Sequence, residues 1–188
     1  MATLPPTLAP AATPNGPTPF PTETTFVSPM YPYSMSIPAG WTVIPATSRW
    51  DGTSPVGHDD PIVDQVLPPK VPNRCTGIYL CAPNAWAFAM RSQLTLAQWV
   101  AAGNASDHAD HPCATEPEAS EPVRIDGVAG ILETKHCEPV TGILVMWARV
   151  VSHGVAYAFC IQDQARERSL DPGVRADFLA MLAAVDLP

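Results

Sequence analysis

Five cysteines carry the most reactive chemistry of this 188-residue chain. Cys113 precedes a predicted β-hairpin and Cys137 follows it, so the two thiols can meet at the open end of the hairpin. We predict a Cys113–Cys137 disulfide, which would close a loop of about 25 residues and contribute about 3.5 kcal/mol by chain entropy. Cys75 and Cys81 flank a tight turn and are predicted as a second bridge. Cys160 lies in an apolar strand and is predicted to be a buried thiol outside any disulfide.

Three histidines near these cysteines offer a different chemistry. His108 and His111 lie just before Cys113, and His136 adjoins Cys137. Imidazole and thiolate groups are ligands for zinc and copper. However, the H-x-x-H-x-C spacing matches no strong zinc pattern, and a disulfide would use both cysteines. A metal site on the three histidines is therefore an alternative, while we expect exposed, independent histidines and no cofactor.

Residues 45–74 form a Pro-, Gly- and Asp-rich stretch that we interpret as mostly an ordered loop. Its carboxylates, with Asp64 at the end of the cluster, could contact a hard cation or a small ligand. The run lacks the glycine and spaced carboxylates of a calcium loop, so a solvated loop is the favoured interpretation. Trp50 is the best candidate for a partly exposed recognition aromatic, although a core position is the favoured interpretation. The candidate ligand contacts are Trp50, Asp51, His58, Asp59 and Asp60.

Several function classes are disfavoured by motif and charge. The sequence contains no G-x-S-x-G, C-x-x-C or G-x-G-x-x-G pattern, so a hydrolase with a dispersed site is the weakest hypothesis. The net charge is −8 and Lys and Arg form no run, which argues against nucleic acid and anionic membranes as partners. No apolar stretch has the length of about 18 residues that a transmembrane helix needs.

The first 25 residues differ in composition from the rest of the chain. They hold seven prolines by Pro21, interleaved with Thr and Ala, which predicts a disordered or polyproline-like tether. Residues 26–188 are predicted to form a single domain. The first residues lack the basic and apolar regions of a signal peptide. The predicted disulfides and the tether nevertheless place the domain outside the cytoplasm, with a signal or anchor preceding the chain. A cytoplasmic start is the alternative.

Alternating apolar residues and turn dipeptides predict an antiparallel sheet. Hairpin turns are predicted at Asp126-Gly127 and at Ser152-His153-Gly154. Strands are predicted at 33–37, 41–44, 78–80, 86–91, 123–125, 128–132, 142–151 and 155–162.

Two helices complete the predicted elements. The first begins at Thr95 with a capping box to Gln98, and Gly103 is expected to end it, so that 104–122 is a polar loop. The second begins at Pro172 and is expected to carry Val185 on its buried face. Strands with segregated amphipathic helices indicate an α+β layer fold.

The domain resembles the Mog/PsbP-like α/β/α sandwich domains. The resemblance rests on the Tyr33–Trp41 stretch, the helix with Leu96 and Trp99, the Asp126-Gly127 hairpin, the strand at 154–157 and the terminal helix. It spans residues 26–188 and is closest to uncharacterised bacterial secreted or lipoprotein members. It implies an antiparallel β-sheet flanked by helices. Members bind partners as different as a photosystem and a small GTPase, and no functional residue is carried over.

Our leading hypothesis is therefore an extracytoplasmic, non-enzymatic binding or accessory domain. It would be tethered by the Pro-rich segment and would present residues 45–74 to a protein or small-molecule partner in the cell envelope. Loops on a rigid scaffold are where binding residues usually lie. A zinc- or copper-handling domain that uses the three histidines is the second hypothesis.

Overall fold

The computed structural model describes residues 24–54, 56–57, 59–67, 83–110, 117–137, 143–164 and 172–188. Residues 1–23 of the predicted tether, the strand predicted at 78–80 and the segment 111–116 lie outside these residues, whereas Thr24 and Thr25, predicted as the last residues of the tether, belong to the first strand. The described part contains ten strands and two helices. They are β1 (Thr24–Val27), β2 (Ser34–Ile37), β3 (Thr42–Ile44), β4 (Asp64–Leu67), β5 (Asn84–Arg91), α1 (Leu96–Asp110), β6 (Ala119–Ile125), β7 (Val128–Cys137), β8 (Ile143–Ser152), β9 (Val155–Gln164), α2 (Pro172–Ala183) and β10 (Val185–Asp186).

The strands form two sheets in which every described pairing is antiparallel. The larger sheet has seven strands in the order β3-β4-β5-β9-β8-β7-β6, and the smaller has three in the order β1-β2-β10. The smaller sheet pairs the start of the domain with its end, because Val185 lies opposite Met35. The α+β class predicted from the sequence is confirmed.

Both predicted hairpin turns are present. Asp126 and Gly127 have φ of 48° and 74°, and His153 and Gly154 have φ of 46° and 74°. Two consecutive left-handed residues define the tight turn that matches the twist of antiparallel strands, and Asp-Gly and His-Gly accept that conformation at low cost. The turns set the register of β6 with β7 and of β8 with β9.

Helix α1 covers one face of the large sheet and begins as predicted. Thr95 N–H donates to Gln98 Oε1 at 2.9 Å, and Gln98 N–H donates to Thr95 Oγ1 at 3.3 Å, which forms the capping box. The prediction that Gly103 ends the helix is wrong, since α1 continues to Asp110. A Cβ atom at Gly103 would lie 2.5 Å from Arg149 Nε, so the missing side chain makes room for a guanidinium.

Helix α2 and the small sheet cover the opposite face. Val174, Phe178 and Met181 are buried on the inner side of α2. Val185 is buried as predicted but lies in β10, outside the helix, which ends at Ala183. The result is a three-layered sandwich with the apolar core on both sides of the seven-stranded sheet.

Two stretches predicted as loops contain regular structure. The 45–74 stretch includes β4, which pairs with β3 and β5. The 104–122 stretch includes the last turns of α1 and the first residues of β6. Polar composition misled the prediction in both places, because antiparallel strands and exposed helix turns can have one partly solvated face.

Candidate functional site

A buried carboxylate lies at the start of β4. Asp64 is fully buried, although the sequence suggested that it shares a solvated loop with Asp59 and Asp60. Its Oδ2 accepts from Ser28 Oγ at 2.6 Å and from Tyr33 Oη at 2.5 Å, and its Oδ1 accepts from the backbone N–H of Ala46 at 2.7 Å. These donors satisfy a group that would otherwise be costly to remove from water.

The carboxylate changes the ionisation of the tyrosine beside it. Burial raises the pKa of Tyr33 well above its usual 10.0, and the nearby charge of Asp64 raises this pKa further. Burial also raises the pKa of Tyr31, with Asp64 adding to the shift and the backbone of Trp50 opposing it. Both phenols therefore stay protonated over the physiological range and act as hydrogen-bond donors.

Tyr31 joins this network to the predicted recognition aromatic. Its hydroxyl donates to the carbonyl of Ile62 and accepts from the backbone N–H of Trp50 at 3.1 Å. The Trp50 ring packs edge-on against Phe88 at 5.0 Å between centroids and tilts against Trp99 at 6.0 Å. Trp50 is thus held at a fixed position, packed against the core but with part of its surface exposed.

An open groove of about 950 Å³ lies beside Trp50. We call it the Trp50 groove. Its floor is formed by the ends of β5 and β9, and its walls come from the β1–β2 connection, the loop after β3 and the β8–β9 turn. It is lined by Pro29, Met30, Tyr31, Pro32, Arg49, Trp50, Asp51, Ala89, Met90, Arg91, Gln93, His153, Gly154, Val155, Tyr157 and Pro188.

Asp51 is the one carboxylate side chain that lines the groove. Its Oδ1 accepts from Thr53 N–H at 2.8 Å, from Thr53 Oγ1 at 2.9 Å and from Ser54 N–H at 3.2 Å. These hydrogen bonds lower the pKa of Asp51 below its usual value. The Asp51 side chain therefore stabilises the turn formed by its own loop.

A second cavity of about 250 Å³ lies between α1 and the 52–56 loop, on the α1 face of the sheet. Arg149 lies at its base and donates to Glu133 Oε2 at 2.7 Å and to Asn104 Oδ1 at 3.1 Å. The guanidinium stacks 4.9 Å above the Trp147 ring. This buried ion pair fixes α1 on the sheet, since Asn104 also donates to Glu133 Oε1 at 3.1 Å.

The other predicted site residues are distributed differently. Of the predicted ligand contacts, Trp50 and Asp51 line the groove, whereas Asp59 and Asp60 form a turn that is not part of its lining. Asp60 Oδ2 accepts from the backbone N–H of Gly57 at 2.5 Å. His58 lies outside the described residues, as do Cys75, Cys81, His111 and Cys113 and the side chain of His108.

His136 departs from the expectation of an exposed, independent histidine. Its side chain is 12% exposed, its Nδ1 contacts Glu118 Oε1, and its Nε2 is buried without a hydrogen-bond partner. Within the described ranges, no three His, Cys, Asp or Glu side chains come together as a metal-binding group. Cys137 is buried at the end of β7, and Cys160 is a buried thiol, as predicted.

Sequence patterns did not predict the two buried networks, although in each network one charged residue occupies an inward position of a strand. Asp64 lies two residues from Val66, so strand alternation places it on the same buried side. Glu133 lies two residues after Ile131, on the same side of β7, but beyond Leu132, where we expected the strand to end. Charged residues at inward positions of a strand usually have a partner, but the sequence does not identify it.

Comparison with solved structures assigns the fold. The Ran-binding protein Mog1p of Saccharomyces cerevisiae is similar with a TM-score of 0.51 and 7% identity, covering 88% of this chain and 96% of that one. The cyanobacterial PsbP (CyanoP) of Synechocystis has a TM-score of 0.50 and 14% identity, covering 84% and 87%. A Bacteroides thetaiotaomicron protein has a TM-score of 0.50 and 11% identity, and the match covers 87% of this chain but only 48% of that protein. The chain therefore has a Mog/PsbP-like fold.

These likenesses are structural. No family model matches the sequence, and no curated protein matches it. In the described part of the chain, no helix is long and apolar enough to cross a membrane.

Substitutions at Asp64 and Tyr33 test the buried network. We expect Asp64→Asn and Tyr33→Phe each to lower the free energy of unfolding by about 1–3 kcal/mol at pH 7, because each leaves a buried polar group without a partner. Asp60→Asn, on a partly exposed turn, is the control and should cost less. Urea denaturation measures all three, and an equal loss for Asp60→Asn would contradict the assignment.

The same network predicts alkaline lability. The folded-state pKa values of Tyr31, Tyr33 and Tyr157 are raised. Their contribution to stability is therefore complete below the unfolded value of 10.0 and is lost as pH rises above it. Stability measured across this range should fall less steeply in the Tyr33→Phe variant than in the wild type.

Proposed function

We propose that this domain is a non-enzymatic binding module that docks a segment of a protein partner in the Trp50 groove. The observation that carries the proposal is the groove itself. It is open, about 950 Å³ in volume, and walled by loops that the Asp64 and Tyr31 hydrogen bonds hold in place. A preorganised groove binds with a smaller entropic cost than a flexible loop does.

The composition of the groove suits a protein partner. Met30, Trp50 and Met90 supply adaptable and aromatic apolar surface, while Gln93 and the backbone supply hydrogen-bonding groups. Aromatic residues and Met are enriched at protein interfaces. The Ran-binding Mog1p has the same fold, which supports a protein-binding role here without identifying the partner.

The proposed setting is extracytoplasmic, in the cell envelope, with the Pro-rich residues that precede β1 as the tether. The support is the proposed Cys113–Cys137 disulfide. Just before β6, the N–H of Glu118 donates to the carbonyl of Thr134 at 2.9 Å, so the chain lies beside β7 there. Cys113 is five residues before Glu118, and Cys137 is three residues after Thr134 at the end of β7. Five residues span at most about 18 Å, a reach that supports the proposed pairing of Cys113 with Cys137.

Mass spectrometry tests the disulfide. A non-reduced digest of protein oxidised in air should contain a Cys113–Cys137 cross-link, with Cys75–Cys81 as the second link and Cys160 as a thiol that reacts only after unfolding. Cys137→Ser should lower the free energy of unfolding by about 2–5 kcal/mol. Unmodified thiols at both Cys113 and Cys137 would remove the support for an oxidising compartment.

Peptide selection tests the docking groove. We expect the domain to enrich a subset of a displayed library of random peptides about twelve residues long. Gln93→Trp places an indole on the exposed rim of the groove and should abolish that enrichment. Ala105→Trp adds the same bulk to an exposed position of α1, away from the groove, and should leave enrichment unchanged. Enrichment that survives Gln93→Trp would contradict docking in this groove.

A metal-handling function is the second candidate, and one observation favours it. His136 presents a buried Nε2 with no partner while its Nδ1 is oriented by Glu118. A carboxylate that holds one ring nitrogen while the other is available is the arrangement that metal-ligating histidines usually show. His108 and His111 would complete a zinc or copper site.

Calorimetry with zinc and with copper tests this candidate. A site on His108, His111 and His136 predicts submicromolar, one-to-one binding that is lost in His111→Ala and retained in His153→Ala. Binding should weaken as the solution is acidified, because protonated imidazole cannot ligate a metal. The candidate is excluded by the absence of such binding, or by binding that His111→Ala leaves intact.

A further inference from the structure

Most cations in the described part of the chain are occupied within the fold. Lys135 and Arg149 are buried. Arg175 forms an ion pair with Glu121, and Arg124 donates to the carbonyl oxygen of Gly127 at 2.8 Å. Each of these four side chains is therefore buried, ion-paired or hydrogen-bonded within the fold, and none of them lines the Trp50 groove.

Arg49 and Arg91, the two remaining cations of the described residues, both line the Trp50 groove. Both are exposed, and neither forms an ion pair in the ranges that the structure describes. The groove lining contains one carboxylate side chain, that of Asp51, which is bonded to its own loop. The groove therefore carries two exposed guanidinium groups that have no ion-pair partner among the described residues.

The strand beside the groove has an edge without a strand partner. β4 pairs with β5 only from Ala85 to Ala87, whereas β9 pairs with β5 along its whole length from Asn84 to Arg91. Beyond Ala87, the other edge of β5 has no strand partner among the described residues, and Ala89, Met90 and Arg91 line the groove there. An extended peptide can add to such an edge through its main chain.

We infer that the occupant of the Trp50 groove is an extended, acidic segment of a protein partner, bound along the outer edge of β5 with its carboxylates at Arg49 and Arg91. The inference rests on the proposed docking function and adds the chemistry of the partner. Charge complementarity with the exposed guanidinium groups of Arg49 and Arg91 favours a peptide that carries a few carboxylates. A nucleic acid strand carries a charge on every phosphate, and two arginines would leave most of those charges facing a chain of net charge −8.

The peptide selection described above supplies the first test. Enriched sequences should contain more Asp and Glu than the starting library. A synthetic peptide from the selection should bind the Arg49→Gln/Arg91→Gln variant about twofold to about 25-fold more weakly, since each of two exposed ion pairs contributes up to about fivefold. Binding to the wild type should also weaken with added salt. The control is Arg124→Gln/Arg175→Gln, which lowers the net charge equally outside the groove and should bind like the wild type.

Three outcomes separate this inference from the docking function. Enriched peptides that Gln93→Trp excludes but that show no acidic excess overturn the inference and leave docking intact. The absence of any enrichment sensitive to Gln93→Trp removes both. An oligothymidylate that binds more tightly than the selected peptide, and is lost in Arg49→Gln/Arg91→Gln, assigns the groove to nucleic acid and overturns the inference.

Discussion

The buried carboxylate of Asp64 is the constraint on which the rest of the structure depends. A charge removed from water must be surrounded by donors, or it destabilises the fold by several kcal/mol. Here the donors come from Ser28 and Tyr33 at the two ends of the β1–β2 connection and from the backbone of Ala46 after β3. The small sheet and the loop after β3 are thereby fixed to the large sheet at one point.

The Trp50 groove is a consequence of that constraint. Once the β1–β2 connection is fixed, Tyr31 reaches both the carbonyl of Ile62 and the backbone N–H of Trp50. The groove walls therefore rest on a network of directional hydrogen bonds, which specify position more sharply than apolar packing does. A site built in this way is suited to recognition, because its geometry exists before the partner arrives.

A second network fastens the opposite face. Arg149, Glu133 and Asn104 connect α1 to β7 and β8, and Gly103 leaves the space that the guanidinium occupies. Each face of the sheet thus has one buried polar network within an apolar core. The fold is shared with proteins as different as Mog1p and a cyanobacterial PsbP, so the fold alone does not determine function, and the loops and charges that the scaffold carries differ from protein to protein.

The sequence by itself determined the features of the fold that depend on residues close together in the chain. The hairpins at Asp126-Gly127 and His153-Gly154, the capping box at Thr95 and the α+β class could all be predicted, because turn conformation and strand periodicity depend on neighbouring residues.

The tertiary structure decided what depends on residues far apart in the chain. Asp64 was expected in solvent but is buried. Sequence patterns could not predict this burial, because the donor Ser28 lies 36 positions away in the chain. Gly103 was expected to end a helix but lies within it. The glycine is needed there because the Arg149 side chain, which is distant in sequence, fills the space beside it. Arg49 and Arg91 showed no pattern at all. They share a groove only because β5 and the loop after β3 meet there, and long-range packing of that kind cannot be read from local propensity.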